Sequence, residues 1–445
     1  MKKFFAILIG KILVFIGKTM GRGSVFAGST ALKIDKNLMY KIKMPKTVIA
    51  VTGSSGKGST TKLIAESYRK LGYSVVHNSS GSNLVTGILT TLLENSNLLG
   101  KIKKDVAVIE MDERYAKFVF PAIKPNYVAI TNITRDQPPR QGNIDLVYNE
   151  IKKALTKDMH LILNADDPYL QKLAIENEFE ITYYGIKKNK YSYTKSNFEN
   201  LNFIYCPKCN SKLIYDFYHF ENIGDYHCPK CSFKHPENNY TVDKIDYKNS
   251  EIVINKTQNV KLPLNMLYAV YNTLTAYSIL CVCIKDEEKV SNILNKIINS
   301  SNNFNCFSEN NRLVYSLNNK NENSTTFNQS LLFVDRDKNP KTIVIGWKEI
   351  SRRYNYNDLS WLYDINFELL QNHNIEKIIC VGPEQYDIAT RIKLANINTQ
   401  KIVCFKDIES ATDYLKTKTK QNIYAILNFD YIEPFNKCMK GENLW

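Results

Sequence analysis

Residues Val48–Lys62 read VIAVTGSSGKGSTTK, and the reading of this stretch decides the rest. Val48 to Val51 are four apolar residues that predict a buried strand. A glycine-rich turn follows, and Ser59, Thr60 and Thr61 open a predicted helix, TTKLIAESYRKLG. Strand, glycine loop and helix form the context that a phosphate-binding loop requires. Gly53, Gly56 and Gly58 let the backbone approach an anion and turn its N–H groups toward it. The helix N-terminus adds its dipole. Lys57 supplies a point charge for the β- and γ-phosphates, and a hydroxyl from Ser59 or Thr60 can reach Mg²⁺. The spacing is the short form G-x-x-G-K-G-S. Without the flanking strand and helix the same residues would be an ordinary Gly/Ser turn. With them, the stretch predicts a nucleoside triphosphate site spanning Gly53, Ser54, Ser55, Gly56, Lys57, Gly58, Ser59 and Thr60.

The remainder of the chain must support such a site. Its 445 residues are enough for two or three domains with cores of their own. With 44% hydrophobic and 23% charged residues, the composition excludes an intrinsically disordered chain. A formal net charge of +15 favours acidic partners, but the lysines are scattered and form no stripe for nucleic acid. No nucleic acid partner is therefore expected. Of ten cysteines, four sit in two close pairs and six are scattered. Beside an ATP site this distribution predicts a reducing cytoplasm and no disulfide framework.

The first residues, MKKFFAILIGKILVFIGK, combine a basic start with an apolar run. Lys11 interrupts the run, which is shorter than the roughly 20 apolar residues of a membrane span. Two readings stay open: a helix packed on its own domain, or an amphipathic helix offering Lys2, Lys3, Lys11 and Lys18 to phospholipid at the inner membrane face. Gly21–Ala31 then reads as a linker.

From Lys46 strands alternate with helices. Expected strands are Thr47–Thr52, Val106–Glu110, Tyr127–Asn132, His160–Asn164 and Ile181–Tyr184, with helices over Thr60–Leu71 and Leu146–Thr156. This alternation predicts a mostly parallel, doubly wound α/β sheet. Ligands of such sheets bind at the carboxyl ends of the strands, which is where Glu110, Asn132 and Asn164 fall.

Between Asn200 and Ser250 the alternation stops. Cys206-Pro-Lys-Cys209 and Cys228-Pro-Lys-Cys231 are separated by eighteen residues, a zinc-ribbon spacing. Each pair aims two thiolates at one tetrahedral ion, so the four complete a structural Zn²⁺ shell with no open position. Lys261–Leu280 follows as an apolar helix carrying Asn265 and Asn272. A polar stretch, Asn299–Asn323, reads as a boundary before a second α/β segment. Its expected strands are Thr342–Gly346, Lys377–Gly382, Lys401–Phe405 and Ile423–Asn428.

The motifs together resemble the Mur ligase superfamily, and within it the MurT-type subunits of lipid II isoglutaminyl synthase. The resemblance is carried by TGSSGKGST, by Glu110-Met-Asp-Glu113, by Thr131-Asn-Ile-Thr-Arg-Asp-Gln137, and by Leu163-Asn-Ala-Asp-Asp-Pro168 with Tyr184-Gly-Ile186. The cysteine ribbon, Leu267-Tyr-Ala-Val-Tyr-Asn272, Phe327-Asn-Gln329 and Asp358-Leu-Ser-Trp-Leu-Tyr-Asp364 extend it over nearly the whole chain. It implies an N-terminal helix and linker over residues 1–40, and a Mur ligase-like central ATP-binding domain over 41–305 with the ribbon inserted near 200–250. A smaller C-terminal α/β domain would occupy 306–445.

For the site, the resemblance implies ATP held by Lys57 and the loop amides, and Mg²⁺ held by Ser59 and Glu110. Asn132, Arg135, Asp136 and Asn272 would be further nucleotide contacts. It implies activation of the α-carboxylate of D-isoglutamate in the lipid II stem peptide, followed by amidation. Ammonia would come from a GatD-like glutamine amidotransferase subunit, whose catalytic His Asp358 would orient. From composition alone, Asp358 is an N-cap before SWLYD. Two alternatives also stand at this level: another Mur-type or folylpolyglutamate synthase-like amide ligase, or a non-catalytic ATP-binding subunit.

Overall fold

The computed structural model describes residues 1–20, 25–79, 82–134, 143–176, 178–196, 203–300, 306–319, 323–348, 358–371 and 374–442. The chain divides into two compact units, one comprising 1–134, 144–263 and 269–301, the other 135–143, 264–268 and 302–445.

In the first unit, β1 (Thr47–Thr52), β2 (Val75–His77), β3 (Val106–Glu110), β4 (Tyr127–Ile130), β5 (His160–Asn164) and β6 (Glu180–Ile186) are parallel. A separate antiparallel hairpin, β7 (Ile214–Phe220) and β8 (Ile223–His227), carries the ribbon. The main sheet is completed by β9 (Tyr240–Asp246), β10 (Glu251–Ile254) and β11 (Gln258–Lys261), giving nine strands in the order β11-β10-β9-β6-β5-β4-β1-β3-β2. Val48, Ile49, Ala50 and Val51 are all buried, as a central strand covered on both faces demands.

Among the described residues the helices of this unit are α1 (Lys2–Thr19), α2 (Phe26–Ile34), α3 (Lys57–Lys70), α4 (Val85–Asn95), α5 (Ala116–Ile123), α6 (Ile144–Ala154), α7 (Pro168–Ile175), α8 (Leu267–Ile284) and α9 (Glu287–Ser300). In α6, Val147, Tyr148, Ile151 and Ala154 form one buried stripe at helical spacing. Asp167 caps α7 through the Tyr169 N–H at 2.9 Å, with Pro168 as its first residue. α8 is long and apolar enough to cross a membrane by composition, yet 67% of it is buried inside the protein. It is a core helix.

The second unit has a six-stranded sheet built from β12 (Cys306–Glu309), β13 (Arg312–Asn319), β14 (Lys341–Gly346), β15 (Ile375–Val381), β16 (Ile402–Phe405) and β17 (Asn422–Asn428). Its order is β12-β13-β17-β14-β15-β16, all parallel except the edge strand β12. Helices α10 (Ser324–Arg336), α11 (Gln385–Leu394), α12 (Ile408–Lys418) and α13 (Phe429–Lys440) belong to it. α/β construction with mainly parallel sheets is thus observed in both units.

Several local expectations change. α3 begins at Lys57 rather than at Thr60, because Gly56 takes the left-handed conformation (φ +82°) at its N-cap. Of the expected linker Gly21–Ala31, residues 21–24 lie outside the described residues and Phe26–Ala31 are helical, because α2 spans Phe26–Ile34. The polar stretch Asn299–Asn323 conceals β12 and β13. Its strand pattern was masked because β13 turns polar residues inward: Arg312 is buried, with Nη1 donating to Thr419 O and Nη2 to Leu415 O, both at 2.9 Å. Lys261 ends β11, and the apolar helix starts only at Leu267.

α1 packs on its own domain along Ala6, Ile7, Gly10 and Val14. Of the four lysines named in the phospholipid reading, Lys11 and Lys18 have partners within the protein. Lys11 Nζ donates to Leu93 O at 2.9 Å at the C-terminal end of α4, and Lys18 pairs with Glu94. Carbonyls left over at a helix end are good acceptors for an ammonium, which explains the capture of Lys11.

Candidate nucleotide site and four-cysteine cluster

The loop Gly53–Gly58 leaves the carboxyl end of β1 and enters α3. Its shape depends on glycine at two points. Gly53 has φ +122°, and a Cβ there would stand 2.4 Å from Thr131 Oγ1. On Gly56 a Cβ would stand 2.1 Å from Asn272 Oδ1. Both distances lie inside van der Waals contact, so no side chain fits without movement.

The segment after β4 pins this loop. Ser54 N donates to Asn132 O (3.0 Å), Ser54 Oγ to Thr134 O (2.9 Å), and Thr131 Oγ1 to Ser55 O (2.6 Å). Asn132 Oδ1 accepts from Ser55 N (3.0 Å), while its Nδ2 donates to Ser55 O (3.2 Å). Asn132 and Ser54 are therefore holders of the loop conformation.

Lys57, only 8% exposed, folds back over its own loop. Its Nζ donates to Gly53 O and lies 3.2 Å from Glu113 Oε2. Glu113 was visible in sequence only as part of an acidic run, and its pairing with the loop lysine was missed. Glu110 stands at the carboxyl end of β3. Asn83 Nδ2 donates to its Oε1 at 2.9 Å, and its Oε2 lies 3.2 Å from where a Cβ on Gly58 would be. Ser59, the next residue after Gly58, is exposed, whereas Thr60 is fully buried.

Gly53, Ser54, Ser55, Gly56, Lys57, Gly58, Ser59, Glu110, Asn132 and Asn272 thus converge on one loop. Its donor set, loop amides with an ammonium, a hydroxyl and a carboxylate, fits a nucleotide phosphate and an oxygen-seeking cation. Arg135 and Asp136 lie outside the described residues.

In the ribbon, the four Sγ atoms of Cys206, Cys209, Cys228 and Cys231 all lie within 4.8 Å of one another. Thiolates about 2.3 Å from one tetrahedral ion would be about 3.8 Å apart, so the set can hold a metal ion. Lys208 N–H and Lys230 N–H each donate to the first sulfur of their turn, Cys206 and Cys228, at 3.4 Å. Ser211 holds the Cys209 thiol down to about 6 by hydrogen bonding, while burial pushes Cys206 up to about 12. The ribbon is fastened to the sheet by Asp166. Its carboxylate accepts from Ile186 N (2.9 Å) and Tyr271 OH (2.7 Å) and meets His235 Nε2 at 2.8 Å.

In the second unit, Asp358 Oδ1 accepts from Ser360 N at 2.9 Å, ahead of a 3-10 turn at Ser360–Asp364. That turn is braced from α10. Asn328 Nδ2 donates to Asp364 O (3.1 Å), its Oδ1 accepts from Asn366 N (2.7 Å), and Trp361 packs against Phe327 and Trp347.

The Mur ligase middle domain family matches residues 51–205, and the MurT ligase C-terminal family matches 321–431. The MurT subunit of lipid II isoglutaminyl synthase (glutamine-hydrolyzing) from Staphylococcus aureus strain COL is 28% identical over 99% of both chains. Its counterpart from Streptococcus pneumoniae strain R6 is 26% identical over 100% of this chain and 98% of that one. The chain therefore carries a Mur ligase middle domain and a MurT ligase C-terminal domain, and it is similar to MurT subunits along its full length.

Solved structures agree on the fold. A pseudomurein peptide ligase type C from Methanothermus fervidus superimposes with a TM-score of 0.69 at 18% identity, over 91% of this chain and 81% of that one. The MurF ligase from Thermotoga maritima, solved in complex with ADP, gives 0.57 at 17% identity, over 94% and 84% of the respective chains.

Proposed function

We propose that this chain is the ATP-dependent synthetase subunit of a glutamine-hydrolysing lipid II isoglutaminyl synthase. The observation that carries the reading is similarity over the full length to two MurT subunits, together with an intact phosphate-binding loop. It is an ATP-dependent carbon–nitrogen ligase working as part of a complex.

A peptide carboxylate is a poor electrophile. Phosphorylation of the α-carboxylate of the stem-peptide D-isoglutamate makes phosphate its leaving group, and ammonia then displaces it to give the amide. Such phosphoryl transfer is catalysed chiefly by positioning and charge neutralisation. Lys57 and the loop amides would hold the phosphates, with Asn132 fixing the loop and Asn272 beside Gly56 on the nucleotide side. Ser59 and Glu110 would hold Mg²⁺, which neutralises phosphate charge. Arg135 and Asp136, at the end of the same segment, would add contacts near the γ-phosphate. Four thiolates would hold Zn²⁺ with no open position, a structural role.

Ammonia would be delivered by a GatD-like glutaminase subunit, with Asp358 orienting that partner's catalytic His. Consumption of ATP puts the reaction on the cytoplasmic side of the membrane. The test is reconstitution with the glutaminase subunit, ATP, Mg²⁺, lipid II and amide-labelled [¹⁵N]glutamine. The expected product is stem peptide carrying one labelled amide, and unmodified lipid II after ATP has been consumed would overturn the reading.

A further inference from the structure

α1 buries one face and leaves the opposite one bare. Phe5, Ile9, Ile12 and Ile16 fall at i, i+4, i+7 and i+11, a single stripe along the helix, and are 53%, 37%, 49% and 44% exposed. Phe4 and Phe15 flank the stripe at 43% and 70% exposure. The inner face is fixed by close packing: a Cβ on Gly10 would stand 2.7 Å from Leu93 Cδ1, so the helix cannot roll to hide its apolar stripe. Soluble proteins rarely leave a contiguous apolar strip of this kind uncovered.

The charges around it are of one sign. Residues 1–34 contain six cations and no acidic side chain; Arg22 lies outside the described residues and Lys11 and Lys18 are held by α4, so the cationic charge available to a ligand lies on Lys2, Lys3 and Lys33. The turn before β3 sits against the first turns of α1, since a Cβ on Gly100 would be 2.8 Å from Lys3 Cε and 3.0 Å from Ile7 Cδ1. That turn exposes Leu99 (75%) and continues into exposed Lys101, Lys103 and Lys104. The nearby acids are already engaged: Glu94 pairs with Lys18, and Asp105 accepts from Ser74 N and Oγ.

We propose that the outer face of α1, with the Leu99–Lys104 segment, docks on an anionic lipid surface. An aromatic and aliphatic stripe bordered by lysines is the arrangement that lies in a membrane interface, with the apolar residues among acyl chains and the ammonium groups at phosphates. A second protein chain would need acidic complementarity, for which a cationic rim would give no self-pairing. The inference rests on the proposed function for its purpose, because a lipid-linked substrate lies in that same surface. Its test does not need the substrate.

The full-length chain is sedimented with phosphatidylglycerol/phosphatidylcholine vesicles and with phosphatidylcholine vesicles alone. It should pellet with the anionic vesicles and bind neutral ones, or anionic ones in high salt, at least about tenfold more weakly. The triple variant Phe5→Ser/Ile12→Ser/Ile16→Ser should bind anionic vesicles at least about tenfold more weakly while its melting temperature and ATP binding stay unchanged. Wild-type protein left in the supernatant, or a variant that pellets as well as wild type, would overturn the proposal. So would light scattering that shows a wild-type dimer broken to monomers by the three substitutions, because the occupant would then be a second copy. With the glutaminase subunit added, the variant should amidate lipid II in detergent micelles and fail on lipid II in vesicles. No amidation by wild type in either setting, with vesicle binding intact, would reject the enzymatic reading and leave the docking surface standing.

Discussion

Lys57 Nζ lies 3.2 Å from Glu113 Oε2 in a buried pair, with side chains 9% and 2% exposed. The cation suited to phosphate thus also has acceptors within the protein, Gly53 O and the Glu113 carboxylate. Removing either partner strands the other charge in the interior, which costs more than the pair contributes. Glu113→Gln should lower stability by about 1–3 kcal/mol in urea unfolding without nucleotide. Saturating ATP should restore much of the loss, because phosphate replaces the missing counter-charge on Lys57. A variant equally destabilised with and without ATP would show that the pair has no bearing on the loop.

The same pair alters what to expect of Lys57→Ala. A lysine on an exposed phosphate loop could be lost without harm to the fold. In the structure its removal leaves Glu113 buried without its cation. ATP turnover should be lost, and the melting temperature should also fall. Lys57→Ala/Glu113→Gln should recover part of that melting temperature without recovering turnover. Double-variant melting no higher than Lys57→Ala alone would contradict the account.

How legible all this was in the chain follows from the range of the interactions involved. The strands of the first sheet are short apolar runs ended by turn residues, so β1, β3 and β5 fall at the expected bounds. The loop and the cysteine pairs are local patterns with fixed spacing, which sequence displays directly. Glu113 meets Lys57 across fifty-six positions and Asp166 meets His235 across sixty-nine, and nothing local marks such pairs. β13 escaped because its inward positions include Arg312, Ser316 and Asn319; Arg312 and Ser316 are satisfied by partners more than a hundred positions away. α2 was lost to the glycine and serine of its sequence, where Gly28 serves close packing: a Cβ there would stand 2.0 Å from Thr86 O.

Metal at the ribbon is tested by elemental analysis of the full chain. About one zinc per chain is expected, with Cys206→Ser lowering both the zinc content and the melting temperature. Chelation should reproduce the loss of stability in wild type and add little to the variant. Metal-free protein that melts like the purified form would contradict a structural ion.

Asp167 gives a pH signature. It is fully buried, and burial raises its carboxyl to about 7, against the backbone donors Tyr169 N and Ile133 N. Between about pH 4 and 7 the folded chain holds a proton that the unfolded chain has released. Stability contributed by this group is therefore full below about pH 4 and declines as pH rises toward 7. Asp167→Asn should flatten that decline, a change on the order of a few kcal/mol in the difference between the two ends. A constant offset from a poorer cap would leave the slope untouched. Unfolding midpoints in which wild type and variant run parallel across the window would refute the assignment.

Asp358 tests the division of labour between subunits. Its Oδ1 accepts from Ser360 N at 2.9 Å, and the turn that follows is fixed by Asn328 and Trp361, so the carboxylate is presented on a braced support. If it orients a partner's histidine, Asp358→Asn should leave ATP binding and association with the glutaminase subunit nearly intact. Glutamine hydrolysis by the complex should fall by two or more orders of magnitude, because an amide favours the wrong imidazole tautomer and cannot balance imidazolium charge. High concentrations of ammonium should then restore amidation of lipid II, since the loop chemistry sits elsewhere in the chain. A capping role alone makes a different prediction: asparagine caps about as well as aspartate, so glutaminase activity would stay within about twofold of wild type. A loss of amidation that ammonium fails to rescue would instead assign Asp358 to the synthetase chemistry.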